Sequence, residues 1–246
     1  MKSCCIIIPI YHSIPSYEEK LSIKRCLSVL NDYDIFFIYP DNMNLSNYQI
    51  YTNANFIAFH SRFFKSPKTY SRLLLSEDFY KPFMKYEYML IAQTDTYILN
   101  TKYTLNQFIK MNYDYWGAPW PKGPFYKPYT IKDYLKKIII RHPENCHVGN
   151  GGFSLRKVQT TFSLVKSKRY FIKILWHFNE DMFFSYLALD EKNKYHSAPV
   201  NLAATFAIEN NMKEEILYGN KPFALHAWSK YFTPEEIFEI EHSLKY

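Results

Sequence analysis

Tyr88-Met-Leu-Ile-Ala-Gln-Thr-Asp-Thr-Tyr-Ile98 is the stretch on which the reading of this chain turns. Tyr88 to Ala92 form a short run that is apolar on both faces, which predicts a central strand. Gln93-Thr94-Asp95-Thr96 follows and places Asp95 at the carboxyl end of that strand. Upstream, Ile6-Ile-Ile-Pro-Ile10 is a β-branched run closed by proline, and Ser16-Tyr-Glu-Glu19 supplies a capping box for a helix with Ile23, Leu27 and Leu30 on one face. Asp34 to Tyr39 and Asn55 to Phe59 are further strand candidates, and Pro67 to Phe83 reads as one helix with Leu73, Leu74 and Phe79 inward. Doubly apolar strands alternating with amphipathic helices imply an α/β protein with a mostly parallel central sheet flanked by helices. Ligands of such sheets bind outside the carboxyl ends of the strands, which makes Asp95 a candidate site residue.

Past about residue 112 the regular alternation is lost. Tyr113 to Trp120 is aromatic and turn-rich, Pro121 to Tyr129 is a candidate mobile loop, and Ile131 to Arg141 is basic and amphipathic. Val148-Gly-Asn-Gly-Gly-Phe-Ser-Leu-Arg156 holds three of the chain's 6 glycines, a clustering that signals close backbone approach or positive φ. Asn179 is a suitable N-cap for a helix opening with Glu180 and Asp181, whose charges suit the positive end of the helix dipole. Pro222 to Trp228 reads as a short strand, and Thr233-Pro-Glu-Glu236 caps a final helix.

Composition narrows the class. The 246 residues suit one large or two small domains, and 48% hydrophobic with 22% charged residues excludes wholesale disorder. The net charge of +7 suits an anionic partner: a nucleotide, a nucleic acid or an acidic membrane surface. No apolar run approaches the roughly 18 residues of a membrane span, and Met1 to Pro9 reads as a buried first strand rather than a signal peptide. Cys4, Cys5, Cys26 and Cys146 have neither metal-ligand spacing nor the density of a disulfide framework, which favours a reducing compartment and a cytoplasmic location. The phosphate-loop, first-strand dinucleotide, nucleophile-elbow and zinc-ribbon patterns are all missing, which removes those enzyme classes. Nucleic acid is disfavoured as a partner because most of the aromatic residues, 19% of the chain, fall inside core patterns.

Three segments then carry a resemblance. They are Thr69-Tyr-Ser-Arg-Leu-Leu-Leu75 leading into Tyr88 to Ile98; Trp116-Gly-Ala-Pro-Trp120 with Gly149-Asn-Gly-Gly-Phe-Ser-Leu-Arg-Lys157; and Glu180-Asp181 with His226. In this order they resemble the nucleotide-sugar-dependent glycosyltransferases of GT-A type, most closely a bacterial GT-A-like group catalogued as a domain of unknown function. The resemblance spans nearly the whole chain. It implies a single Rossmann-like GT-A domain over 1–246, with residues 1–112 holding a nucleotide-sugar donor and 113–246 supplying acceptor contacts and the catalytic base. The implied activity is sugar transfer to a hydroxyl of a glycan or lipid-linked glycan acceptor in bacterial surface polysaccharide synthesis, such as capsule or lipooligosaccharide.

The resemblance also assigns roles. Pro9, Tyr11, Arg72, Gln93, Asp95, Asn150, Gly151 and Gly152 would contact the donor, with Arg72 reaching toward the acidic motif, and Trp116 and Trp120 would face the acceptor sugar. The departing diphosphate gathers negative charge that a divalent metal, Arg or Lys, or backbone N–H groups must meet. Asp95 and His226 would hold Mn²⁺ or Mg²⁺, although Gln93-Thr94-Asp95 departs from the usual Asp-x-Asp by an amide in the first position. Asp181 would be the base that deprotonates the acceptor in an inverting transfer, with Glu180 orienting sugar hydroxyls. A retaining transferase and a non-catalytic nucleotide- or glycan-binding protein with a decayed GT-A fold are the alternatives. Arg62, Lys65 and Lys68 read as a solvated face, and Lys132 to Arg141 as a stretch that either packs on the domain or lies on an anionic membrane.

Overall fold

The computed structural model describes residues 2–120, 146–176 and 178–244. The loop expected at Pro121 to Tyr129 and the basic stretch Lys132 to Arg141 lie outside the described residues. Strands β1 (Lys2–Pro9), β2 (Asp34–Pro40), β3 (Asn55–Phe59) and β4 (Tyr86–Ala92) run parallel in the order β3-β2-β1-β4. On the far side of β4, β7 (Phe153–Lys157) pairs antiparallel with β4, and β6 (Tyr115–Trp116) pairs antiparallel with β7. The six-stranded sheet is therefore parallel across the strands expected from the first half and antiparallel where the second half joins it. A smaller sheet is built from β5 (Thr96–Ile98), β9 (Ala224–His226) and β8 (Ala207–Ile208), in the order β5-β9-β8.

β1 shows why the sheet is covered on both faces. Its residues from Cys4 to Pro9 are all buried, and alternate side chains enter different cores: Cys4, Ile6 and Ile8 one, Cys5 and Ile7 the other. Helix α1 (Tyr17–Val29) begins at the expected capping box of Ser16 and Glu19 and buries Ile23 and Cys26 in the first core. The second core takes Leu73, Leu74, Phe79 and Phe83.

The single helix expected over Pro67 to Phe83 is broken into α2 (Pro67–Leu74), α3 (Glu77–Tyr80) and a 3₁₀ turn, Lys81–Phe83. Ser76 is the cause. Its Oγ donates to the Leu73 carbonyl at 2.6 Å, ending α2, and accepts from the Phe79 N–H at 3.4 Å, starting α3. The remaining described helices are α4 (Leu105–Lys110), α5 (Val158–Ser167), α6 (Arg169–Ile174), α7 (Glu180–Leu187), α8 (Val200–Phe206), α9 (Met212–Leu217) and α10 (Pro234–Ser243). α7 starts after Asn179 and α10 after a Thr233–Glu236 capping box, both as expected. All four cysteines are buried and none is in a disulfide among the described residues, where no helix is long and apolar enough to cross a membrane.

Candidate functional site

A cleft of about 610 Å³ opens at the carboxyl ends of β1 and β4. Gln93, Thr94 and Asp95 leave β4 there, and the Gln93 N–H donates to the Gly152 carbonyl at 2.8 Å, tying the turn to the glycine loop that precedes β7. Thr94 Oγ1 donates to Glu19 Oε1 at 2.8 Å, so the residue that caps α1 also holds this turn. The chain then doubles into β5, and the pairing of Thr96 with His226 brings β9 alongside. Ala227, at φ 57°, takes a left-handed bend immediately after His226. One turn and one strand pairing thus set His226 beside Asp95.

His226 is the hub of the cleft floor. Its Nε2 lies 3.3 Å from Asp95 Oδ1 and 3.2 Å from Gln93 Oε1, while Nδ1 lies 3.3 Å from Glu209 Oε1. Burial disfavours the imidazolium, but Asp95 and Glu209 outweigh it and push the His226 pKa up to about 9. Burial raises both carboxylates, and the facing imidazolium more than offsets this, leaving each below its ordinary value. Glu209 also accepts from Asn150 Nδ2, and Asn150 Oδ1 accepts from the Gly152 N–H at 3.0 Å. The positive φ anticipated in the glycine cluster belongs to Asn150, at 43°. The glycines answer to close approach instead: a Cβ on Gly152 would lie 2.0 Å from His226 Nε2, and one on Gly151 would lie 2.1 Å from Glu180 Oε1.

Glu180 and Asp181, which line the same cleft, open α7 in different environments. Glu180 is buried, with Ser71 Oγ donating to Oε2 at 2.5 Å and Arg156 Nη2 lying 3.4 Å from Oε1. Arg156 is itself wholly buried, donates to Ser154 Oγ and the Tyr80 hydroxyl, and lies over the Tyr115 and Phe184 rings. Asp181 lines the cleft, and its Oδ1 accepts from the Met182 N–H at 2.7 Å. Burial, followed by the adjacent Glu180 charge, pushes the Asp181 pKa up to about 7.

The structure therefore gathers Tyr11, Gln93, Asp95, Asn150, Gly151, Gly152, Glu180, Asp181 and His226 into one cleft. Four expected residues are placed elsewhere. Trp116 is wholly buried among Phe108, Tyr113 and Phe206, so its ring faces the core and not a sugar. Trp120 does not line the cleft; its ring covers Gly149, where a Cβ would lie 1.8 Å from it. Pro9 is buried at the end of β1, two residues before Tyr11 reaches the cleft. Arg72 points away from the acidic turn and donates to the carbonyls of Ile172 at 2.8 Å and Trp176 at 2.5 Å, in a separate cleft. Arg62, Lys65 and Lys68 are exposed, as expected. Glu180 is too fully engaged by Ser71 and Arg156 to present a free carboxylate to sugar hydroxyls. Glu209 and Lys230 line the cleft without having been anticipated. Glu209 directly follows β8, and the strand-end rule that singled out Asp95 would have found it had that two-residue strand been recognised.

The donors around His226 suit a divalent cation that displaces the imidazolium proton. Asp95 Oδ1 is buried with no hydrogen-bond partner among the described residues, and it shares its surroundings with the Gln93 amide oxygen and an imidazole nitrogen. Oxygen with one imidazole is a donor set that Mn²⁺ or Mg²⁺ accepts. Among the described residues no group of three or more His, Cys, Asp or Glu side chains is arranged to hold a metal, so such an ion would depend on Gln93 and on oxygens of a bound ligand.

A family profile described as "Protein of unknown function (DUF5672)" matches residues 53–226. No curated protein matches the sequence. Among solved structures, the galactosyltransferase LgtC in complex with donor and acceptor sugar analogues superposes with a TM-score of 0.54 at 13% identity, covering 98% of this chain and 96% of that one. A glycosyltransferase involved in glycosylation of the major capsid of PBCV-1 gives a TM-score of 0.49 at 11% identity, covering 99% and 98%. The apo-form glycosyltransferase GlyE of Streptococcus pneumoniae TIGR4 gives 0.47 at 14% identity, covering 98% of this chain and 60% of that one. The likeness to the first is one of fold, and that fold is the GT-A type.

Proposed function

The chain belongs to the family described as a protein of unknown function, DUF5672, and from that premise we propose that it is a glycosyltransferase moving a sugar from a nucleotide-sugar donor to a glycan hydroxyl. One observation carries the reading. Gln93, Asp95 and His226 converge in a strand-end cleft that is also lined by a carboxyl group, Asp181, with its pKa near neutrality. Residues 1–112 supply Tyr11, Gln93 and Asp95 to the donor side of this reading, and 113–246 supply the base and the acceptor side.

In the proposed reaction the acceptor oxygen forms a bond to the anomeric carbon, the bond from that carbon to the β-phosphate oxygen breaks, and the acceptor proton passes to Asp181. A base with a pKa near the working pH is suited to that transfer. Glu180, fixed by Arg156 and Ser71, serves as a positioning residue that sets the start of α7. The negative charge that leaves with the nucleoside diphosphate faces Lys230 and His226. A divalent cation held by Asp95, Gln93 and His226 would supply Lewis-acid neutralisation of the same charge.

The attack places the acceptor opposite the leaving group, which makes the transfer inverting. The family resemblance supports a glycan or lipid-linked glycan acceptor of a bacterial surface polysaccharide, capsule or lipooligosaccharide, and a cytoplasmic site of action. The test is a thermal-shift screen against UDP-, GDP-, dTDP- and CMP-sugars with Mn²⁺ or EDTA, since a ligand that binds only the folded state raises its stability. NMR assignment of the product anomer follows. Stabilisation by one nucleotide class, with the anomer inverted, is expected. Stabilisation by none of the donors overturns the transferase reading, and a retained anomer removes the base role from Asp181.

A further inference from the structure

The helix pair α5 and α6, on the side of α2 where Arg72 points, carries a surface that the proposed reaction does not use. From Val158 to Asn179 the chain has four basic residues, Lys166, Lys168, Arg169 and Lys173, and no acidic residue. Within that stretch Tyr170 is 66% exposed, Ile174 63% and Leu175 46%. Arg169 and Lys173, and likewise Tyr170 and Ile174, are four apart on α6, so two cations and two apolar tips stand as adjacent rows on one helix. A cleft of about 650 Å³ borders the same ridge, lined by Arg72, Lys81, Arg169 and Lys173 together with Glu77 and Asp78. Asp78 is paired with Lys81 at 2.7 Å, which leaves Glu77 as the acid facing the α6 cations.

We propose that this ridge, Lys166 to Leu175, is the surface by which the protein lies on the anionic face of a lipid bilayer. Charge complementarity selects the occupant, because four cations without an intervening acid seek a dense field of negative charge. The apolar tips select a bilayer over a soluble polyanion, because Tyr170, Ile174 and Leu175 gain by entering the headgroup boundary while Lys and Arg stems extend along it. The ridge is coupled to the cleft. Arg72 of α2 holds the Ile172 and Trp176 carbonyls, α2 also contributes Tyr70 and Ser71 to the cleft, and Asn179 at the cleft lies four residues beyond Leu175. The consequence rests on the transferase reading: a lipid-linked acceptor anchored in that bilayer would meet Asp181 without leaving the surface.

The experiment is flotation of the full chain with phosphatidylcholine vesicles and with phosphatidylcholine–phosphatidylglycerol vesicles, over a range of salt. Binding to the anionic vesicles alone, weakening with salt, is expected. At about 1 kcal/mol per surface cation, neutralising two in R169Q/K173Q should lower the partition coefficient roughly thirtyfold. Y170S/I174S should also weaken binding, leaving a residue that salt abolishes. Both variants change exposed side chains, and unchanged thermal unfolding establishes that each is folded. Failure of the wild type to float with anionic vesicles overturns the proposal. So does undiminished binding by both folded variants, which would move the contact to another segment such as Lys132 to Arg141. Donor-induced thermal shift on the same samples separates the two readings: vesicle binding without a donor shift leaves the surface standing and removes the transferase.

Discussion

Arg156 and Glu180 form an ion pair sealed inside the protein, Nη2 to Oε1 at 3.4 Å, with the arginine side chain 0% and the glutamate side chain 7% exposed. Removing one partner of such a pair leaves a buried charge without compensation. Arg156→Met should therefore cost about 3–5 kcal/mol, read by urea denaturation. Arg156→Lys should recover little of it, because an ammonium cannot reproduce the forked contacts to Ser154, Tyr80 and Glu180. A loss below about 1 kcal/mol in both variants would show that the pair does not hold α7 in place.

Asp181 links stability to pH in a direction opposite to most carboxylates. Its folded pKa near 7 exceeds the ordinary 3.8, so across that interval the folded protein keeps a proton that the unfolded chain has released. Stability falls as pH rises through the interval, and the penalty is complete above it. Asp181→Asn removes the penalty and keeps an acceptor for the Met182 N–H, so its Tm should exceed that of the wild type above about pH 8 and converge with it near pH 4. The same variant should lose transfer activity by roughly 10²–10⁴-fold, while wild-type kcat/KM climbs as pH passes through about 7. A Tm gap independent of pH would contradict this assignment.

Gly152→Ala tests the cleft floor by sterics alone. The new Cβ would stand 2.0 Å from His226 Nε2, in a buried ring held between Asp95 and Glu209, so the variant should displace the imidazole from those partners. Any Mn²⁺-dependent donor stabilisation should then vanish, and basal Tm should fall as Asp95 and Glu209 lose their shared imidazolium. Gly117→Ala is the contrasting control: its Cβ would meet the Gly149 backbone carbonyl at 1.6 Å, and the variant should fail to fold.

Asp95→Ala and Glu209→Ala should separate the two sides of His226. Asp95→Ala removes the carboxylate facing His226 Nε2 and should abolish a metal-dependent thermal shift. Glu209→Ala leaves Asp95 and Gln93 in place and should weaken that shift about 10–100-fold in apparent affinity, the usual effect of losing a carboxylate behind a ligating histidine. Equal effects of the two would argue against this division.

Trp116 separates core from site. Trp116→Ala should cost about 3–5 kcal/mol through the cavity it leaves, whereas Trp116→Phe should fold and leave the acceptor KM unchanged. A raised acceptor KM in the phenylalanine variant would return the ring to the acceptor side.

The parts of this molecule that could be read from the chain are those whose cause is local. β1 to β4 announce themselves by runs apolar on both faces, and α1 and α10 by capping boxes. Asp95 was readable because strand polarity alone puts it at the ligand end of the sheet. Ser76 was harder: it interrupts an apolar periodicity that continues on both sides, and only its bonds to Leu73 and Phe79 show the break. Strands β6 and β8 have two residues each, too few for a period to register. Trp116 and Arg72 were misassigned for a shared reason. Residue type and neighbours do not reveal which way a side chain points, and burial against Phe108 or capture by two distant carbonyls is decided by tertiary packing. Glu209 was hidden in the same way, since its partners Asn150 and His226 are remote in sequence.

The pairing of β5 with β9 has a consequence for synthesis. Gln93 and His226 are 133 positions apart, and Thr96 finds its partner strand only when residues 224–226 are available. At roughly 5–20 residues per second a ribosome takes about 7–27 s to cover that interval. Throughout it the acidic turn after β4 exists without the imidazole that closes it. A nascent or prematurely terminated chain can thus complete the parallel strands β1 to β4 and remain unable to assemble the cleft, which ties competence to the arrival of β9.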